Sequence, residues 1–400
     1  MPLDPDGWAL WQGAVSIATG HGYTYFSGNP IAAWPPLYSA YLALWTLLLG
    51  PTGWSLLVAN GGLVVLQAFL WMKMATTIAR DAGSAPAVGT TFPLSVLVGL
   101  VVALHQREVL GQNLVYTLLP LYVLGLWKLL HADGTAREVR ITVLLAFLGA
   151  LLCLAHNTAV VFVVAAAAMV SLNWPVKWRL VAFSSALVAV PGLSALAVRG
   201  LLGQPGSHRV GIGAGQYDGL TYSWHFFEGI GRVLAPEKFG ASLVAAAVLC
   251  AVIAFLLLGN TGPASGLRFA TRFTLLSAVL LVLLFTSVWV TSPLSGRHVL
   301  FAVLVVGPLA CIEAARVAPR IARMAILLLL LPQLYWTGLA ALRLEMSWRN
   351  DPALARLPTD WLVPARAYLS RDYRSGPPVE NRAGLLVAPF SFEEPRGRTR

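Results

Sequence analysis

The sequence predicts an all-α polytopic membrane protein, a bundle of about ten transmembrane helices with short helices against one membrane face. Three observations predict it. First, 57% of the 400 residues are hydrophobic and only 11% are charged, with a mean hydropathy of +0.71. A soluble domain carries about a quarter charged residues, so the bilayer is the solvent for most of this chain. Second, apolar runs of span length recur along it. Third, Lys and Arg fall almost wholly in alternate loops. The net charge of +11 does not point to nucleic acid, because the basic residues are scattered between apolar runs and form no stripe with stacking aromatics.

At the N-terminus there is no basic region followed by an apolar core and a small-residue cleavage site, so it does not read as a signal peptide. Asp6 precedes a stretch from Gly7 to Thr19 in which Trp8, Trp11, Val15 and Ala18 recur at three- and four-residue spacing, and Gly20 and Gly22 follow as helix stops. That pattern describes a short amphipathic helix on the membrane surface. Pro36 to Leu49 is apolar too, but about fourteen residues do not comfortably cross a core of about 30 Å. It reads as interfacial or re-entrant.

Span-length runs follow near 54–72, 87–104 and 111–130, then two short ones within 141–172, broken at His156, Asn157 and Thr158. Later runs lie near 180–199, 241–259, 273–291, 298–314 and 324–341. With 36–49 left interfacial, one set of loops holds Lys73, Arg80, Lys128, Arg137, Arg140, Lys177, Arg179, Arg268, Arg272, Arg316, Arg320 and Arg323. The opposite short loops hold only Arg107 and Arg297. The positive-inside rule makes the first set cytoplasmic.

Residues 1–53 are then an outward loop with juxtamembrane helices, 54–341 the bundle with an outward loop at 200–240, and 342–400 an outward tail. An outward N-terminus with no span before it leads to the expectation that an upstream helix is missing from this reading frame. The tail, with ten Arg, seven acidic residues and several prolines, reads as solvated, either a small module or partly disordered. Cys153, Cys250 and Cys311 all sit in apolar segments without ligand-like spacing and read as packing residues.

Beyond the first helix come Gly20, His21, Gly22, Tyr23, and then Trp34, Pro35, Pro36, Leu37, Tyr38. An Asp, an amphipathic helix, this Gly-His-Gly-Tyr turn and the Trp-Pro-Pro-Leu-Tyr entry to a short apolar helix resemble the first outward loop of GT-C glycosyltransferases. The relatives in view are dolichyl-phosphate-mannose mannosyltransferases, aminoarabinose transferases and rhizobial lipopolysaccharide transferases. The resemblance covers the first 170 or so residues. It implies a multi-pass enzyme of the bacterial cytoplasmic membrane and cell envelope with an outward active site. The implied partners are a polyprenyl-phosphate-linked sugar, membrane lipid, and a glycan, lipid or protein acceptor. The family's first span has no counterpart here, and Gly7 stands where many members have a Glu, so the resemblance supplies no second catalytic acid.

Sugar transfer from phosphate to a hydroxyl needs a base, and the resemblance assigns that role to Asp6. The residue alone would equally serve as a cap for the helix starting at Gly7, and Asp4 is a spare candidate. His21, Tyr23 and Trp34 are implied as substrate-binding residues. The phosphate calls for cations, and Arg107 and Arg297 break the charge asymmetry where snorkelling to headgroups is the other explanation. Glu108 beside Arg107, and His298 beside Arg297, complete the substrate-binding set, and His105 with Glu108 could hold a divalent metal ion, with no other cofactor implied. Between 201 and 240, glycines fit a mobile cover, and Tyr217, Tyr222, Trp224, His225, Phe226 and Phe227 either stack on substrate or form an interfacial belt. His156 reads as a hydrogen-bonded helix contact in mid-membrane. A carrier or flippase for a lipid-linked or small polar substrate is the alternative, and a non-catalytic scaffold a third. Polar groups gathered on one face favour the enzyme.

Overall fold

The computed structural model describes residues 5–25, 30–31, 34–51, 53–84, 89–105, 110–132, 134–173, 178–202, 217–234, 244, 265–287, 294, 296–349, 379–380 and 386–387. The expected span at 241–259, apart from residue 244, lies outside the described residues, together with Asp4, Arg107, Glu108, Cys250 and the glycines of 203–215. In chain order the helices are α1 (Pro5–Ala18), α2 (Leu37–Leu49), α3 (Gly53–Asp81), α4 (Thr91–His105), α5 (Gln112–Leu130) and α6 (Thr135–Ala155). A single 3₁₀ turn (Asn157–Ala159) leads to α7 (Val160–Asn173), α8 (Trp178–Leu201), α9 (Gly219–Leu234), α10 (Ser265–Ser287), α11 (Gly296–Val317) and α12 (Pro319–Arg349). Beyond them Val379–Glu380 pairs antiparallel with Leu386–Val387.

Among the described residues, six helices are long and apolar enough to cross a membrane: most of α3, then α5, α6, α10, α11 and the first part of α12. The expected spans near 87–104 and 180–199, and the second of the two short runs within 141–172, correspond to shorter apolar stretches. α7 tolerates its shortness because protein surrounds it: Val161, Phe162, Val163, Ala165, Ala166, Ala167, Met169 and Val170 are all buried. Lipid faces the rest of the bundle, as Val65, Phe69, Val143, Phe147, Leu193 and Leu196 stay exposed. Close helix approach depends on small residues. A Cβ on Gly149 of α6 would stand 2.9 Å from the Pro191 ring of α8, and one on Gly125 of α5 would stand 2.9 Å from Leu145 of α6.

The helices alternate in direction, which gives the bundle two ends. Arg80, Lys128, Arg137, Arg140, Arg268, Arg272, Arg316, Arg320 and Arg323 collect at one of them, where Gly266 abuts Ile78 and the Arg323 guanidinium lies against Gly89. The other end holds α1, α2, α9 and the first turns of α3, α5 and α11.

Several expectations change here. The first helix starts at Pro5, so Asp6 lies inside its first turn and does not precede it. Nor does that helix keep a wet face. Trp11 and Val15 are buried, and so are Leu10, Gln12, Ala14 and Ser16. α2 packs on α1 from one side, while at Gly13 a Cβ would strike the Tyr23 ring at 2.5 Å and Ile31 at 2.9 Å. The run expected at 273–291 begins at Ser265, and the run at 324–341 is the middle of a helix that reaches Arg349, so the tail expected from 342 starts helical.

Candidate functional site

At the end away from the basic ring, α11 begins with Gly296, Arg297 and His298. Tyr116, one turn into α5, donates its hydroxyl to the Arg297 carbonyl at 2.6 Å and ties the two helix starts together. The Arg297 guanidinium lies within electrostatic reach of Tyr116, His156 and His298. His298 also stands edge-on to Phe285 of α10, ring centres 5.3 Å apart.

His156 is not in mid-membrane. It closes α6 and opens the 3₁₀ turn, at the same end as Arg297. The approach of α5 puts it there: at Gly111 a Cβ would meet the Ala155 carbonyl oxygen at 2.5 Å and the His156 ring at 3.4 Å. His156 Nδ1 accepts from the Thr158 backbone N–H at 3.2 Å and lies 2.8 Å from Thr158 Oγ1. A backbone N–H can only donate, so neutral His156 carries its proton on Nε2.

His105, the last residue of α4, comes to the same place. Its Nε2–H donates to the Val233 carbonyl at 3.2 Å, and its Nδ1 would stand 3.6 Å from a Cβ on Gly296. Gln333 of α12 donates to the Val233 and Leu234 carbonyls, both at 3.1 Å. These two side chains satisfy carbonyls that the C-terminus of α9 would otherwise leave orphaned. α9 is thereby fixed beside Arg297, with Tyr222 against Phe285 and Phe226 against Phe301. Among the described residues no three His, Cys, Asp or Glu groups come together as a metal site. The Nε2 of His105 is engaged by the Val233 carbonyl, and Glu108 lies outside the described residues.

The residues expected from the first loop divide differently. His21 is exposed and pairs through Nδ1 with Thr19 Oγ1 at 2.9 Å. Tyr23 is buried and its hydroxyl donates to the Trp34 carbonyl at 3.1 Å, so it braces the turn between α1 and α2, while Trp34 is half-buried. Ser39 Oγ donates to the Leu10 carbonyl at 2.8 Å, which sets α1 on α2. Next to it, Tyr38 donates to Asn60 Oδ1 in α3, and Asn60 Oδ1 also accepts from Asn113 Nδ2 of α5 at 3.0 Å. Gln67 Nε2 donates to the Asn113 carbonyl at 2.8 Å. A buried polar chain therefore runs from the Asp6-bearing helix to Asn113 in the first turn of α5, two residues from the glycine beside His156.

Sequence reasoning singled out Arg297 and His298, and the structure brings them together with His105 and His156. It did not find Tyr116, Asn60 or Asn113, which sit in apolar runs and carry no signal of their own. It also read 201–240 as loop, and missed the spacing of Tyr222, Phe226 and Ile230, one helical face that becomes the docked side of α9.

No protein-family model and no curated protein sequence matches this chain. Among solved structures, the crystal structure of ArnT from Cupriavidus metallidurans in the apo state matches with a TM-score of 0.53 at 14% identity, over 92% of this chain. The chain spans 63% of the length of that ArnT chain. The likeness shows the fold alone: an all-α bundle of membrane helices arranged as in that ArnT chain.

Proposed function

We propose that this GT-C bundle is a glycosyltransferase that moves a sugar from a polyprenyl-phosphate donor to an acceptor hydroxyl on the outer face of a bacterial cytoplasmic membrane. One observation carries the reading: Arg297, His298 and His156 gather at the end of the bundle that also holds α1 and α2, on a fold shared with ArnT. The basic ring at the other end supports that end as cytoplasmic, and so the site as outward.

In this reaction the bond between the sugar C1 and the phosphate oxygen breaks and its electron pair stays on the phosphate. The acceptor oxygen forms the new bond to C1, and its proton passes to the Asp6 carboxylate, the base. Arg297 holds the donor phosphate and offsets the negative charge that grows on it as it departs. His298, His21, Tyr23, Trp34, Arg107 and Glu108 complete the proposed substrate-binding set. Tyr23 acts by holding the loop, given its bonds to backbone carbonyls. The test is transfer itself: the purified chain, supplied with a polyprenyl-phosphate sugar and a lipid acceptor, should release polyprenyl phosphate in step with glycosylated acceptor. Release of neither would sink the proposal.

One feature favours the carrier reading, the buried Asn60, Gln67 and Asn113 within α3 and α5. Movement of intact donor across proteoliposomes without bond cleavage would select it.

A further inference from the structure

We infer that Tyr116 is a positioning residue for the transfer step, one that holds the first turn of α11, and with it Arg297, in register with the helix that carries Asp6. The inference rests on the donor reading above and adds a residue to it.

The first turn of a helix is its least secured part, because its first four N–H groups have no partner within the helix. α11 opens with Gly296, a weak helix former, and Arg297 follows in that same turn. α11 packs mainly on α3, α9 and α10 and touches α5 lightly, so a long side chain is needed to cross from α5. Tyr116 makes that reach. Its hydroxyl donates to the Arg297 carbonyl at 2.6 Å, and the side chain is buried. A carbonyl has two lone pairs and the helical ladder uses one, so the hydroxyl adds a bond and replaces none. The bond is to the backbone of Arg297. It fixes where the side chain starts from, whatever the guanidinium touches.

The turn of α5 that carries Tyr116 is itself tied to the opposite side of the site. Three residues earlier, Asn113 Nδ2 donates to Asn60 Oδ1 of α3 at 3.0 Å, and the Asn113 carbonyl accepts from Gln67 Nε2 at 2.8 Å. Tyr38 of α2 also donates to Asn60, and Ser39 beside it donates to the Leu10 carbonyl of α1. Hydrogen bonds between successive helices therefore lead from α1 through α2, α3 and α5 to α11. The proposed base and the proposed phosphate cation belong to the first and last of these helices. Transfer needs both at set distances from C1 at one moment, and a displacement of about 1 Å can cost about a hundredfold in rate. The Tyr116 bond therefore acts on turnover. A loosened first turn still admits donor, but is poorly placed for the charge that grows on the departing phosphate.

Tyr116→Phe removes the hydroxyl and keeps the ring. The Arg297 carbonyl retains its ladder bond, so no buried group is orphaned and the melting temperature should hold. Tyr122→Phe is the control, the same change in the same helix at a buried hydroxyl that has no hydrogen-bond partner among the described residues. Transfer from a polyprenyl-phosphate sugar by the full chain in detergent is the measurement, with kcat and donor KM read separately. Tyr116→Phe should lower kcat about tenfold with donor KM nearly unchanged, and Tyr122→Phe should leave both at wild-type values. In an Arg297→Ala background, Tyr116→Phe should lower kcat no further, since the residue it acts through is gone. Wild-type kcat in Tyr116→Phe, or the same loss from Tyr122→Phe, overturns the inference. So does an equal fold-loss with and without Arg297→Ala, which would make Tyr116 a structural residue alone. In each of these cases a wild-type chain that transfers sugar keeps the donor reading standing. If the wild-type chain releases no polyprenyl phosphate, the donor reading falls and takes this one with it.

Discussion

At the scale of single residues, Asp6 and Arg297 carry the proposed chemistry and can be tested apart from stability. Asp6→Asn keeps the size of the side chain and removes the proton acceptor. Turnover should fall by about 10² to 10⁴ with folded yield unchanged, and full turnover by this variant would remove Asp6 from the mechanism. A second carboxylate has a purely structural role. Asp218 Oδ1 accepts from the Thr221 N–H at 2.7 Å and caps α9, and that bond holds its carboxyl below the usual carboxylate range. The folded-state value is depressed, so the contribution is present at neutral pH and is lost only as pH falls through that lowered value. Amide exchange in the first turn of α9 should quicken in Asp218→Ala and stay slow in Asp218→Asn.

For Arg297 the comparison is with Arg140, an exposed residue at the basic end. Arg297→Ala should weaken donor binding at least tenfold, the scale of one charge-assisted bond, and Arg140→Ala should leave it unchanged. Equal affinities would return Arg297 to the snorkelling explanation.

At the scale of elements, the question is what holds the short helices over the bundle. α9 is secured at its C-terminus by Gln333 and His105. Gln333→Leu leaves the Val233 carbonyl to His105 alone and takes the side-chain donor from the Leu234 carbonyl. Hydrogen exchange across α9 should rise several-fold while exchange in α5 and α6 does not change, and uniform exchange throughout would show that the clamp is dispensable. α2 is held instead by the Tyr38–Asn60–Asn113 chain. Buried hydrogen bonds between membrane helices average about 0.6 kcal/mol each, so Asn60→Leu, which removes the acceptor for two donors, should cost about 1 to 2 kcal/mol in a detergent melt. A neutral result would mean that Tyr38 and Asn113 find other acceptors.

At the scale of the whole molecule, the two ends differ in charge, and that difference predicts which side of the membrane each end faces. Single cysteines placed at Asp218 and Thr135 should be labelled from opposite faces, position 218 from outside and position 135 from inside. Labelling of both from one face would invert the assignment and detach the proposed site from the outward donor. Fold and charge agree in this respect. Arg137 and Arg140 lie a full helix length along α6 from His156, so the basic ring and the Arg297 cluster belong to opposite ends.

The sequence by itself determined the helical membrane class, the order of the spans and the alternation of their ends. These follow from the hydrophobic length a bilayer demands and from where cations can be tolerated, both local properties of a chain. Arg297 was legible for the same reason, because a cation at the start of a span on the sparsely charged side has no topological use. Only the tertiary structure decided the partners. His156 comes to that end because Gly111 lets α5 press on the end of α6, and α1 is buried because α2 packs on it from one side and Tyr23 and Ile31 close over Gly13. Contacts between residues distant in sequence depend on which small side chains permit close approach in three dimensions, and helical periodicity holds no record of that.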